Sequence, residues 1–72
     1  MDVTLYTRRD CCLCDEALQV LRDHHLDPQV VDIDADPQLV AQFDTCVPVV
    51  EIDGRIRFRG RVEPRLLKRL IR

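Results

Sequence analysis

The dipeptide Asp53-Gly54, set between two short β-rich runs, Val47 to Ile52 and Arg55 to Arg59, constrains the fold more than any other feature of the chain. Asp-Gly suits a two-residue turn whose central positions take positive φ and whose twist matches paired strands. The two runs are therefore predicted to be antiparallel neighbours. The chain before this hairpin has a different rhythm. Val3 to Tyr6 is β-rich, and the polar stretch Thr7-Arg8-Arg9-Asp10 leads into a helix-patterned region beginning near Cys11. There Cys14, Ala17, Leu18 and Leu21 share one face, while Asp15, Glu16, Gln19, Arg22 and Asp23 cover the other. Asp10 is the predicted N-cap, and the helix should end near His24-His25, ahead of Pro28. Gln29 to Ile33 reads as a second strand, and Asp36-Pro37 supplies N-cap and first turn for a short helix carrying Leu39, Val40 and Phe43. After Gly60, Glu63-Pro64 opens a last helix with Leu66, Leu67, Leu70 and Ile71 as its predicted buried stripe.

The resulting order, β-α-β-α-β-β-α, places the chain in the α/β class. A parallel βαβ unit extended by a hairpin gives a four-stranded mixed sheet flanked by helices. The richness of the first three strands in Val, Leu and Ile predicts parallel strands buried on both faces. With 72 residues, 46% of them hydrophobic, and only two glycines and no serine, residues 1–72 are expected to form a single domain without a linker. The longest apolar run is a few residues, so no membrane span is expected, and the start Met1-Asp2-Val3-Thr4 does not read as a signal peptide. A cytoplasmic location follows by default.

Net charge is only −2, but residues 55 to 72 carry Arg55, Arg57, Arg59, Arg61, Arg65, Lys68, Arg69 and Arg72 against Glu63 alone, a local +7. Such asymmetry can mark an anionic partner. The arginine spacing fits a solvated strand face and helix face instead, and no nucleic-acid partner is expected.

Three of the four cysteines, Cys11, Cys12 and Cys14, fall within four residues, and Cys46 stands apart. A stapled secreted domain spreads its cysteines to close loops, and an all-thiolate zinc site usually supplies two separated pairs, so neither is expected here. Cys11 and Cys14 form a Cys-x-x-C at the junction of the first strand and first helix. A helix N-terminus offers unpaired N–H groups and positive potential to a thiolate, and Cys11 gains most from them. Cys14, one turn deeper on the apolar stripe, should be the more buried thiol and can attack a mixed disulfide on Cys11. Cys12 is either a spectator or a second thiol beside the nucleophile. Cys46 is either a small buried hydrophobe or a third redox thiol. Val47-Pro48 at the start of the third strand places a proline where a buried strand begins, which serves a turn or a cis bond exposing the Val47 backbone to an extended substrate.

These residues together, Leu5 to Ala17 around Cys11-Cys12-Leu13-Cys14, then Val47-Pro48-Val49-Val50, Asp53-Gly54 and Phe58-Arg59-Gly60-Arg61-Val62, resemble the short bacterial glutaredoxin-like proteins of the glutaredoxin-like family over nearly the whole chain. The resemblance implies a thioredoxin-like fold and a thiol-disulfide oxidoreductase, with Cys11 the nucleophile, Cys14 the resolving thiol and Pro48 a cis-proline. It also implies glutathione as a candidate co-substrate, held by Arg8, the Val47 backbone and the Gly60 turn, with Glu63 standing for the family's acidic group. The chain departs from the family in its single glycine at Gly60 and in Leu13, where an aromatic residue is common. The substrate expected is a protein or glutathione mixed disulfide, turned over by a monomer with no bound cofactor and no metal. A rival reading is a metal or iron-sulfur module using Cys11, Cys12 or Cys14 with Cys46 and no turnover.

Overall fold

A computed structural model describes residues 2–44 and 46–71. Met1 and Arg72, the latter counted in the basic block, lie outside the described residues. The elements run β1 (Val3–Thr7), α1 (Cys12–Asp23), β2 (Gln29–Asp32), α2 (Pro37–Phe43), β3 (Val49–Ile52), β4 (Arg55–Arg59) and α3 (Pro64–Leu70), with one 3-10 turn, Ile33–Ala35, after β2. This is the predicted order. The sheet is mixed, in the order β2-β1-β3-β4, with β1 parallel to β2 and antiparallel to β3. At the turn between β3 and β4, Asp53 and Gly54 both take positive φ, 51° and 83°, as the hairpin signal requires. The Asp2 amide donates to Asp53 Oδ1 at 2.9 Å, fastening the start of β1 to this turn.

Two buried clusters fill opposite faces of the sheet. On one face Val3, Leu5, Val50, Ile52 and Phe58 pack with Ala17 and Leu21 of α1, Val62, and Leu67 of α3. On the other, Ile33, Phe43 and Val49 form a smaller cluster joined by Tyr6, Leu39, Val40, Cys46, Val47 and Ile56. The Tyr6 and Phe43 rings lie 4.8 Å apart, and the Tyr6 hydroxyl donates to Glu51 Oε2 at 3.0 Å. Burial, and then that bond to a carboxylate, hold the phenol above its ordinary pKa.

Four expectations are corrected. The third strand is antiparallel to its neighbour β1, so only β1 and β2 are a parallel pair. β2 is not buried on both faces: as an edge strand it leaves Gln29 and Val30 exposed, and Ile33 leaves the strand to plug the smaller cluster from the 3-10 turn. In α3 only Leu67 is fully buried, whereas Leu66 and Leu70 are 48% and 36% exposed. The sheet covers one side of this short helix, and four apolar residues at i, i+1, i+4 and i+5 span too wide an arc for one contact.

The fourth concerns β4, where the alternation of Ile56 and Phe58 with Arg55, Arg57 and Arg59 predicts one apolar face in a regular strand. The pairing runs Ile52 to Arg55, Glu51 to Ile56 and Val50 to Phe58, skipping Arg57. That bulge sends Ile56 into the smaller cluster and Phe58 into the larger one.

Truncating Leu67 to Ala should therefore cost about 2–5 kcal/mol in chemical denaturation, whereas Leu66 to Ala should stay within about 0.5 kcal/mol of the parent. Equal losses at the two positions would contradict this packing.

Candidate active site

The C-terminal end of β1 delivers the chain into a turn in which Asp10 takes φ 57°, a left-handed position that aspartate tolerates. That geometry removes Asp10 from the predicted capping role. The N-cap of α1 is Cys11, with extended backbone, and its Sγ accepts the Cys14 amide at 3.2 Å. Its carbonyl accepts the Cys14 and Asp15 amides at 3.1 and 3.3 Å. The sulfur thus stands where a capping oxygen usually does, on an otherwise unpaired N–H at the positive end of a helix dipole.

The three clustered thiols differ in access. Cys12 is exposed, Cys11 half-buried, and Cys14 only 3% exposed. Burial pushes the Cys14 thiol up from 9.0 to about 12. A hydrogen bond to the Cys11 side chain and the charges of Cys11 and Asp15 act in the same direction, while the Arg8 backbone N–H pulls the other way. Cys14 is consequently a neutral thiol at physiological pH, in hydrogen-bond contact with Cys11. All four cysteines are free.

The Val47-Pro48 bond is cis, and Pro48 is fully buried. Gly60, at φ 81°, directs its amide to the carbonyls of both Cys46 and Pro48 at 2.9 and 2.8 Å. A Cβ on Gly60 would meet nothing within 4 Å, so backbone conformation and not space calls for glycine. Cys46 is half-buried against the smaller cluster.

Arg8 is engaged within the chain. Its Nη1 donates to Asp44 Oδ1 and to the Asp44 carbonyl at 2.8 and 3.1 Å, and its Nη2 to Asp34 Oδ1 at 3.0 Å. The Asp34 bond, and then the Asp44 bond, raise its pKa further. The guanidinium therefore ties the loop before Cys11 to the chain leading into Val47-Pro48. The sequence shows Arg8 but not its partners, which lie 26 and 36 residues away and carry no local signal. A groove of about 340 Å³, also unforeseen, opens beside Leu13 and is bounded by Glu16, Val20, Arg61, Val62 and Pro64. Among the described residues, no three His, Cys, Asp or Glu side chains gather closely enough to hold a metal ion. No helix among them is long and apolar enough to cross a membrane.

Residues 2–72 match the family model described as Glutaredoxin-like domain (DUF836). Solved structures share the architecture. A structural-genomics target protein from X. campestris, XcR50, is 28% identical, with a TM-score of 0.84 over 96% of this chain and 93% of its own. The glutaredoxin-like protein NrdH-redoxin from Escherichia coli is 27% identical, with a TM-score of 0.75 over 97% of this chain and 95% of its own. A glutaredoxin from Archaeoglobus fulgidus, 23% identical, matches in fold with a TM-score of 0.72 over 99% of this chain and 86% of its own. No curated protein matches the sequence. The fold is thioredoxin-like.

The Cys14 shift fixes the sign of a pH effect. Because the folded-state pKa lies above the ordinary value, the neutral buried thiol contributes its full stability below pH 9.0, and that contribution is lost as pH rises toward about 12. Denaturation of the reduced protein against a Cys14→Ala variant should show the parent losing stability more steeply above pH 9.0. Parallel profiles would refute the assignment.

Proposed function

The chain belongs to the glutaredoxin-like domain family, and we propose that it is a thiol-disulfide oxidoreductase that reduces protein or glutathione mixed disulfides through Cys11 and Cys14. A thiol redox role is what the family and fold support in general terms. The observation that carries the finer reading is the Cys14 amide on Cys11 Sγ, with the buried Cys14 thiol held against the same sulfur.

Each step balances within that pair. The Cys11 thiolate attacks a substrate disulfide, forming a mixed disulfide and expelling one substrate sulfur as thiolate. Cys14 then gives up its proton and attacks Cys11 Sγ, so the Cys11–Cys14 disulfide forms and the second substrate sulfur leaves. The substrate gains two electrons and the protein loses them, to be restored by a thiol reductant. The Cys14 amide that caps Cys11 donates to the sulfur that attacks first, at the positive end of the helix. Burial keeps Cys14 out of the first step and favours it for the second, where its target is already in contact.

Of the two substrate classes, protein disulfides are favoured by the state of Arg8. The cation that the resemblance assigns to glutathione is committed to Asp34 and Asp44. Glutathione would have to displace two carboxylates to use it. The Val47 backbone beside the cis bond is the proposed pairing edge for an extended substrate.

Cys11→Ser should abolish reduction of a protein disulfide, Cys14→Ser should trap a mixed disulfide on Cys11 visible by mass spectrometry, and Cys12→Ser should turn over as the parent does. Loss of activity in Cys12→Ser with retention in Cys11→Ser would move the nucleophile and defeat the proposal.

A further inference from the structure

Away from the thiols, β4 and α3 enclose a second groove of about 290 Å³, lined by Arg57, Phe58, Leu66, Arg69 and Leu70. Leu66 and Leu70, one turn apart on the exposed side of α3, are half of the large hydrophobic side chains that stand out among the described residues, with Leu13 and Val30 the others. The β4 bulge shapes this site, because skipping Arg57 in the ladder turns Phe58 into the larger cluster beneath the groove and leaves Arg57 exposed on its rim. Arg69 stands among the lining residues as the second cation. No carboxylate of a described residue pairs with either one; among the described residues the basic block has a single internal pair, Arg61 with Glu63 at 3.8 Å.

We infer that this groove docks an acidic segment of a partner protein, one that lays apolar side chains over Leu66 and Leu70 and carboxylates against Arg57 and Arg69. The inference rests on the thiol-disulfide reading only in naming the partner as a protein exchanging electrons with Cys11; the docking surface stands on its own geometry. Charge complementarity selects the occupant. Arg55, Arg57, Arg59, Arg65, Lys68 and Arg69 are all exposed on or beside the groove's two elements. An apolar floor between cations fits a peptide with alternating apolar and acidic side chains better than a phosphate backbone. The groove's one aromatic, Phe58, is 6% exposed and offers no stacking face to a base.

A second copy of this chain is a poorer occupant, because eight of its thirteen Asp and Glu side chains are already engaged, Asp23 by Gln19 and Glu63 by Arg61 among them. Asp34 and Asp44 hold Arg8, Asp32 and Asp36 cap the turns they precede, Glu51 accepts from Tyr6, and Asp53 accepts from Asp2.

The test uses the full chain and a synthetic peptide of alternating Glu and Leu, with the Gln-for-Glu peptide as control, followed by amide shifts and fluorescence anisotropy. Binding of the acidic peptide with shifts at Phe58, Leu66 and Leu70, weakened about tenfold by the double substitution Arg57→Glu and Arg69→Glu, is the expected result. Raising salt should weaken it further. Lack of binding, equal binding of the Gln peptide, or indifference to the double substitution overturns the proposal. So does a single-stranded oligonucleotide that binds the same residues more tightly than the peptide, or a dimer in sedimentation that covers them.

Reduction of a small-molecule disulfide separates this proposal from the catalytic one. Arg57→Glu with Arg69→Glu should leave that reaction unchanged, and Cys11→Ser should lose it while binding the peptide as the parent does.

Discussion

The site and both cores depend on β1. Leu5 has no exposed surface and pairs with Val30 on one side and Val50 on the other, so the strand is hydrogen-bonded along both edges and buried at its centre. A central strand of this kind has few local alternatives, since a one-residue slip would move Leu5 to the face lined by Tyr6. Its C-terminal end is therefore a fixed point, and the turn that follows sets Cys11 on the end of α1. The Cys11 sulfur inherits its position from a strand held along both edges.

Around that point the structure adds ties that cross long stretches of chain. Arg8 joins the loop before Cys11 to Asp34 and Asp44, and the Gly60 amide joins the β4–α3 connection to the carbonyls around the cis bond. Each uses a hydrogen-bonding group that a substrate would otherwise be expected to use. The site is consequently held by its own surroundings as much as it is open to a ligand.

Much of this was legible in the sequence because it rests on local chemistry. Asp53-Gly54 reads as a hairpin from two residues, Asp36-Pro37 as a helix start, and His24-His25 as a helix end. There His25 takes a left-handed φ of 62° and Leu26 bonds back to the Leu21 carbonyl. The separation of an outer and a buried thiol likewise follows from placing Cys11 at the start of the helix and Cys14 on its apolar stripe. What stayed hidden depended on contacts distant in sequence. β2 looks like a core strand because Val30 and Val31 have the right propensity, yet its position at the sheet edge is decided by which strand β3 chooses. The bulge at Arg57 leaves the residue pattern of β4 unchanged while reversing the face of one apolar side chain. Asp10 has the right residue type for a cap, but a cysteine one position later occupies that place.

The division of charge has a consequence for motion. Residues 55–72 carry +7 and the remainder of the chain −9, and six of the eight cations in that block lie on the edge strand β4 and on α3. A nearly neutral molecule built this way is an electric dipole, and the field of a charged surface exerts a torque on it before contact. Approaching an acidic protein, it would be turned so that the β4 edge leads, and random collisions would become oriented ones. Such an encounter gains in rate without any gain in contact energy, and the advantage fades as salt shortens the reach of the field.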